Sequence, residues 1–233
     1  MSSWSQSTLL LVAHGSSRYP ESAGDLMRLA EQIRRENLFA RVDVAFWRQE
    51  PVLSKDHLVG DKVYVLPFFA GIGKHSQELI PGRLGGDPRA VFCQPVGCHP
   101  SLPSLIAERS GLLCRRNGWR DSEVSLLLVA HGSRETGVSR TPQMIEARLR
   151  EMARFAAVAA VYLEQAPFAK NWRDHVAPGK VIAQPLLLSA GMHLSEDVPP
   201  LFAGEERRVA LQQGIGDDRE IISMILDQVR AAS

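Results

Sequence analysis

The sequence predicts an α/β protein made of two homologous lobes, each a four-stranded, mainly parallel sheet flanked by helices. Three observations lead to this fold class. A short apolar run that ends in His-Gly-Ser occurs twice, strand and helix patterns alternate in both halves, and the halves align at an offset of about 117 residues. We therefore place the lobes at residues 1–118 and 119–233, joined at the turn-forming segment 117–122.

The first lobe is predicted to alternate four strands with helices. Its opening strand is an apolar run that leads directly into His14. Apolar residues at helical spacing predict a helix over 22–37, and Pro100 begins a last helix that reaches about Asn117. The predicted strands lie at 8–13, 41–46, 62–67 and 90–95.

The second lobe repeats this order. Its strands are predicted at 125–130, 157–162, 180–186 and 207–212, and its closing helix at 217–231. Pro51 and Pro167 align, and each is predicted to open a short helical stretch. Alternation of this kind implies parallel strands joined by right-handed crossovers. We expect a monomer whose lobes face each other across a pseudo-two-fold axis, with a small-molecule cleft between them.

Composition narrows the function classes. The 233 residues are 45% hydrophobic and 23% charged, which is ordinary for a globular protein. With 27 basic and 26 acidic residues the formal net charge is +1, which does not favour binding to nucleic acid or to an anionic membrane surface. A cytoplasmic protein is expected, because the first residues lack a basic region and the following apolar run is only a strand long. Three cysteines without a CxxC pair favour reduced thiols.

Histidines follow the first and third strands of both lobes. They are His14 and His75 in the first lobe, and His131 and His193 in the second. The carboxyl ends of parallel strands meet at one edge of a sheet, so each pair can converge. A lone histidine is more often structural, but a pair repeated in register favours function. Imidazole binds divalent iron, cobalt and nickel and accepts protons near neutral pH, which suits metal insertion into a tetrapyrrole.

Longer motifs make a family recognisable. They are Val-Ala-His-Gly-Ser-Arg at 129–134, Tyr-Leu-Glu-Gln-Ala-Pro at 162–167 and Pro-Leu-Leu-Leu-Ser-Ala-Gly-Met-His-Leu-Ser-Glu-Asp-Val-Pro at 185–199. In these the chain resembles the CbiX-type sirohydrochlorin chelatases of siroheme and cobalamin biosynthesis, as a long form of two fused units. The resemblance implies ATP-independent insertion of cobalt or ferrous iron into sirohydrochlorin. It implies no permanently bound cofactor, since the divalent metal is a substrate.

The resemblance also assigns the site residues. The strand-end histidines, His14 with His75 and His131 with His193, are implied to be metal ligands and proton acceptors, and Glu164 is implied to be a further metal ligand. Arg48 stands at the position aligned with Glu164, so the two sites are chemically unequal, although Glu50 lies nearby in the sequence and can substitute. Resemblance to long family members favours the N-terminal pair as the working site.

Sirohydrochlorin carries carboxylates around an apolar macrocycle, so local cations and hydroxyls are expected near the histidines. Arginine and lysine bind carboxylates through charge-assisted hydrogen bonds, and hydroxyls at helix starts accompany free N–H groups. Phe68, Phe69 and Met192 can line the macrocycle face. The predicted substrate-binding residues are Ser16, Arg18, Lys74, Ser76, Ser133, Arg134 and Ser195.

Three other interpretations remain open at this point. A non-catalytic tetrapyrrole or metal carrier on the same scaffold would explain the unequal lobes. A phosphohistidine enzyme is disfavoured, because Ala13 and Ala130 stand where that chemistry needs an arginine to bind the phosphoryl group. A purely structural duplicated domain is disfavoured by the four registered histidines.

Overall fold

A computed structural model describes residues 4–16, 23–132, 139–188, 196–215 and 219–233. Within these segments the chain forms eight strands: β1 (Thr8–Ala13), β2 (Arg41–Phe46), β3 (Val63–Pro67), β4 (Ala90–Phe92), β5 (Val124–Ala130), β6 (Ala157–Tyr162), β7 (Lys180–Pro185) and β8 (Val209–Leu211). They build two sheets with the orders β2-β1-β3-β4 and β6-β5-β7-β8, and every pairing is parallel. The predicted fold class is confirmed.

The two apolar runs that precede His14 and His131 are central strands. β1 and β5 each pair with a strand on both sides, and every residue of both is buried. A parallel sheet is covered on both faces, so its inner strands can be continuously apolar rather than alternating. Each run therefore ends where the chain leaves the core, with a histidine as the first residue outside it.

The edge strands β4 and β8 are shorter than the sequence predicts. The Cys93 N–H still donates to Val65 O (2.9 Å), but Pro95 has no N–H and the chain then turns through the segment 96–98. In the second sheet, Gln212 N–H makes the corresponding bond to Ala183 O (2.9 Å). Each of the two strands therefore pairs with its neighbour over only three residues.

Among the described residues, five α-helices flank the sheets: α1 (Ala23–Arg35), α2 (Ile80–Leu84), α3 (Leu102–Arg116), α4 (Thr141–Glu151) and α5 (Arg219–Ala232). The predicted apolar face of α1 is buried, at Leu26, Leu29, Ala30 and Ile33. In the described part of the chain, no helix has the length and apolar character needed to cross a membrane.

Pro51 and Pro167 do not open helices, contrary to the sequence prediction. The peptide bonds that precede them are both cis. Their carbonyls accept from Phe46 and Tyr162 N–H (2.9 Å each), which binds each proline loop to the end of the adjacent strand. The helical turns begin later, at Lys55 and Ala169.

The compact units of the structure do not coincide with the sequence repeats. The first unit comprises residues 1–99 and 216–233, and the second unit comprises residues 100–215. Helix α3 ends the first repeat but packs against β7 and α4, whereas α5 ends the second repeat but packs against β3. The boundary at 118/119 thus separates the repeats, and each repeat contributes its last helix to the other unit.

Polar contacts attach each exchanged helix to its sheet. On α3, Ser110 Oγ accepts from Gln212 Nε2 (2.9 Å), and on α5, Gln228 Nε2 donates to Pro95 O (3.3 Å). Ser110 and Gln228 occupy aligned positions of the two repeats. In the second unit the long amide comes from the end of a strand, whereas in the first unit it comes from the helix.

Candidate functional site

His14 lies at the carboxyl edge of the first sheet and is held there by the residues that follow β2. Trp47 N–H donates to Ala13 O (3.0 Å), and Arg48 N–H donates to His14 O (2.9 Å). These bonds continue the β1–β2 ladder beyond the two strands. The backbone of His14 is therefore fixed while its side chain is exposed.

The turn after His14 requires glycine. Gly15 has φ +67°, and a Cβ at this position would lie 2.8 Å from the Cβ atoms of both Phe46 and Gln49. Gln49 also accepts from Ser16 N–H through its Oε1 (2.9 Å). The chain can turn away from the sheet here only because no side chain stands between it and the loop after β2.

The orientation of the His14 ring defines which nitrogen is available. Nδ1 lies 2.9 Å from Gly15 O, and because a carbonyl oxygen can only accept, Nδ1 carries the proton in this contact. In the neutral ring the lone pair is then on Nε2. Histidines that bind metals in proteins are commonly oriented in this way, by donating the other ring N–H to a carbonyl.

His75 comes from the loop after β3, the strand that pairs with β1, and begins the helical segment His75–Leu79. Its ring centroid is 5.0 Å from that of His14, with 72° between the ring planes. An imidazole nitrogen binds a first-row metal at about 2.1 Å, which puts the ring centroid roughly 3 Å from the ion. Two rings at this separation can share one ion at neighbouring coordination positions.

Aromatic rings surround His75. Phe69 stacks on it (centroids 5.9 Å apart, planes at 23°), and Trp47 meets it edge to face (5.6 Å, 84°). On the indole of Trp47 lies the guanidinium of Arg83, 3.4 Å from the ring centroid. His75 is thus half-buried and confined by flat apolar groups, in contrast to exposed His14.

The second unit repeats the first histidine turn closely. His131 Nδ1 donates to Gly132 O (2.9 Å), Gly132 has φ +80°, and Glu164 N–H donates to His131 O (2.9 Å). Glu164 therefore occupies the place that Arg48 holds beside His14. The partner histidine, His193, lies outside the described residues.

The structure describes three further residues that the sequence singled out, Lys74, Ser76 and Glu50. Lys74 is exposed next to His75. The Ser76 hydroxyl is engaged within its own turn, where it accepts from Gly73 N–H (3.1 Å) and donates to Gly73 O (3.0 Å). The carboxylate of Glu50 accepts from Val52 N–H (3.1 Å). Outside the described residues lie Arg18, Ser133, Arg134, Met192 and Ser195.

Among the described residues, the candidate ligands for one metal ion are the two histidines His14 and His75. Across those segments, no three His, Cys, Asp or Glu side chains gather closely enough to hold a metal ion. The buried Phe68 faces the core, whereas Phe69 contacts His75. Trp47 and Arg83 were not predicted from the sequence. The available signal was a large aromatic residue immediately after β2, at the same edge of the sheet as His14.

Known proteins resemble this chain in sequence. The sequence profile of the CbiX family matches residues 8–111 and 125–232. A "Probable sirohydrochlorin cobaltochelatase" from Halobacterium salinarum is 29% identical over 219 residues, covering 82% of this chain and 75% of that protein.

Solved structures share the fold. SirB from Bacillus subtilis with Fe3+ has a TM-score of 0.78 at 20% identity, and SirB from the subspecies spizizenii in complex with cobalt has 0.75 at 19%. Each alignment covers 97% of this chain and 95% of SirB. DR2241 from Deinococcus radiodurans, a multi-domain protein with structural similarity to chelatases, has a TM-score of 0.76 at 23% identity. That alignment covers 96% of this chain but 54% of DR2241, so this chain spans about half the length of that protein.

Proposed function

Because the chain belongs to the CbiX family, matched once in each half, we propose that it inserts a divalent metal ion, cobalt or ferrous iron, into sirohydrochlorin without ATP. The observation that carries this proposal is the His14–His75 pair, with rings 5.0 Å apart at the carboxyl edge of a parallel sheet. The substrate is supported by the name of the Halobacterium relative, and the two metals by the SirB structures.

The two histidines bind the incoming ion only in part. His14 presents Nε2 because its Nδ1 proton is held by Gly15 O, and His75 approaches from the loop after the neighbouring strand. Neutral imidazoles bring no negative charge, and two ligands leave most coordination positions of cobalt or iron to water or substrate. Weak ligation of this kind favours transfer to the macrocycle over retention by the protein.

Metal insertion also releases two protons. The macrocycle loses two pyrrole N–H protons as it gains a doubly charged ion, so its net charge is unchanged. An imidazole that has released the metal has a free lone pair and can take up one of these protons. Exposed His14 can pass a proton on to water, whereas half-buried His75 lies against Phe69 and Trp47.

We place the working site in the first unit, with the N-terminal histidine pair. His131, His193 and Glu164 of the second unit remain predicted ligands for a second metal position. A chelatase of this type holds no resident cofactor, because the ion leaves with the product.

Replacing His14 by alanine tests the function directly. We expect a loss of about 10²-fold or more in the rate of cobalt or ferrous iron insertion, followed anaerobically by the absorption spectrum of sirohydrochlorin. The matched control is His131→Ala, which removes the corresponding imidazole of the second unit and is expected to leave most of the rate intact.

The outcomes separate the proposed enzyme from a carrier. If the unaltered protein binds sirohydrochlorin but does not accelerate insertion of either metal, the protein is a tetrapyrrole carrier and the chelatase proposal is wrong. If His131→Ala abolishes turnover and His14→Ala does not, the chemistry lies in the second unit instead.

A further inference from the structure

Within the described segments, no carboxylate pairs with Arg83, the arginine that stacks on Trp47. Half-buried Arg154 pairs with Asp121 (2.6 Å), and exposed Arg173 pairs with Glu205 (2.7 Å). Arg83 is half-buried and stacks at 3.4 Å on the indole of Trp47, and within the described segments its hydrogen bonding is one long contact from Nη1 to Trp47 O (3.5 Å).

Most of the donor capacity of Arg83 is therefore available to a ligand. A guanidinium has five N–H donors in a planar fork that matches a carboxylate, and stacking on an aromatic face holds the plane of that fork fixed. At a half-buried position, water competes less well with a ligand carboxylate for these N–H donors than it does in bulk solvent. Arg83 can therefore bind an anionic group of a ligand, because the described part of the protein gives it no carboxylate partner.

The second unit replaces this whole arrangement by leucines. Trp47 and Leu163 are equivalent because their N–H groups donate to Ala13 O and Ala130 O (3.0 Å each). Arg83 corresponds to Leu201, since the flanking core residues have the same spacing in both units.

Phe69 corresponds to Leu187, because the N–H groups of the preceding residues donate equivalent backbone hydrogen bonds. Phe68 N–H donates to Val12 O, and Leu186 N–H donates to Val129 O. All three leucines pack against the core of the second unit. The second unit therefore folds with aliphatic side chains at these positions. Phe69 also packs against the core of the first unit, so the difference that indicates a ligand is the stacked pair of Trp47 and Arg83.

We propose that Arg83, held on the face of Trp47, binds one peripheral carboxylate of the tetrapyrrole and orients the macrocycle against His14 and His75. The indole is in contact with both Arg83 and His75, so a carboxylate bound at the guanidinium belongs to a molecule whose body lies beside the histidine pair. This inference rests on the proposed function and adds a residue that selects the first unit for the substrate.

Binding without metal tests the proposal separately from turnover. Sirohydrochlorin fluorescence is titrated with unaltered protein, Arg83→Gln and Arg83→Lys. We expect Arg83→Gln to raise Kd by about tenfold or more, because a charge-assisted hydrogen bond is lost, and Arg83→Lys to recover part of the affinity. The increase in Kd with salt is expected to be shallower for Arg83→Gln than for the unaltered protein.

The control is Arg173→Gln, which removes the same charge from another arginine stacked on a tryptophan, 4.7 Å from the ring centroid of Trp172. Because Arg173 already has Glu205 as its partner, its loss is expected to leave Kd unchanged. Thermal melts of all variants establish that each is folded at the assay temperature.

Two further readouts identify the role as carboxylate binding. In metal insertion, Arg83→Gln is expected to raise KM with little change in kcat, and the methyl ester of sirohydrochlorin is expected to bind the unaltered protein and Arg83→Gln alike. An unchanged Kd and KM in Arg83→Gln, with the unaltered protein active, overturns this subsite alone. Absence of both binding and turnover in the unaltered protein overturns the subsite and the proposed function together.

Discussion

His14 and His131 are each positioned by the glycine that follows them. Gly15 and Gly132 both have positive φ, and each accepts the Nδ1 proton of the preceding histidine through its carbonyl. A side chain at either position would meet the residues after the neighbouring strand. The glycine therefore determines both the backbone path and the available nitrogen of the imidazole.

The matched pair Gly15→Ala and Gly132→Ala separates stability from activity. Each variant is expected to lose about 1–3 kcal/mol of unfolding free energy, because alanine is strained at positive φ and its Cβ would lie under 3 Å from neighbouring side-chain atoms. Chemical denaturation measures this loss. Only Gly15→Ala is expected to slow metal insertion as well, and equal slowing in both variants would contradict a working site confined to the first unit.

Thiol reactivity distinguishes the three cysteines. Burial raises the pKa of the Cys93 thiol to about 12, and burial together with a hydrogen bond to Asp121 raises that of Cys114 to about 12. At pH 8 both thiols are then protonated and shielded, and a thiolate is the reactive form. We expect a disulfide reagent at pH 8 to titrate only the half-buried Cys98 quickly in the native protein, and all three after unfolding in guanidinium chloride.

At the scale of elements, apolar patterning was sufficient to predict the strands and the long helices. The bounds of the central strands and of α1 were predicted within about two residues. Burial on one or both faces requires apolar residues at a regular spacing, and this spacing is visible in the sequence. The proline loops were not predicted, since the carbonyls of Pro51 and Pro167 bond to the ends of the strands just before them, and apolar periodicity does not predict such bonds. The contact of Trp47 with His75 joins two separate loops, and apolar periodicity does not predict it either.

Helix α3 stabilises the unit against which it packs, and a substitution on it can show this. A Cβ at Gly111 would lie 1.7 Å from Arg154 Nη2, so Gly111→Val displaces the arginine and breaks its ion pair with Asp121. We expect a loss of about 1–3 kcal/mol, with faster hydrogen exchange in β5–β7 and unchanged exchange in β1–β3.

Gly82→Val is the control for this substitution. Gly82 is exposed, and a Cβ there would meet nothing within 4 Å, so little change in stability is expected. Increased exchange in β1–β3 of Gly111→Val would show that α3 supports the first unit instead.

At the scale of the molecule, the repeat was predicted but the exchange of helices was not. Alignment of the halves identifies two similar sequences, yet it contains no information about which sheet each closing helix covers. That choice depends on pairs such as Ser110 with Gln212 and Gln228 with Pro95, which are far apart in the chain. The cleft between the lobes, the monomeric state and the histidine ligands stay predictions.

Fragments of the chain test the exchange. A fragment of residues 100–215 contains β5–β8 together with α3, so we expect it to unfold cooperatively as a monomer. A fragment of residues 119–233 has the same sheet but carries α5 in place of α3, and is expected to lack a cooperative monomeric transition. Circular dichroism melts and sedimentation measure both properties, and the reverse result would assign each helix to its own repeat.

The exchanged helices also constrain how a gene of this kind can evolve. Suppose that an ancestral half formed a dimer in which each copy packed its last helix against the sheet of the other copy. Fusion of the two copies then keeps every sheet covered. A later break between the repeats would give two polypeptides that each expose one sheet face until they meet again. Once fused, such a gene is therefore easier to vary within each half than to divide, and the halves can diverge, as Trp47 and Leu163 have, without separating.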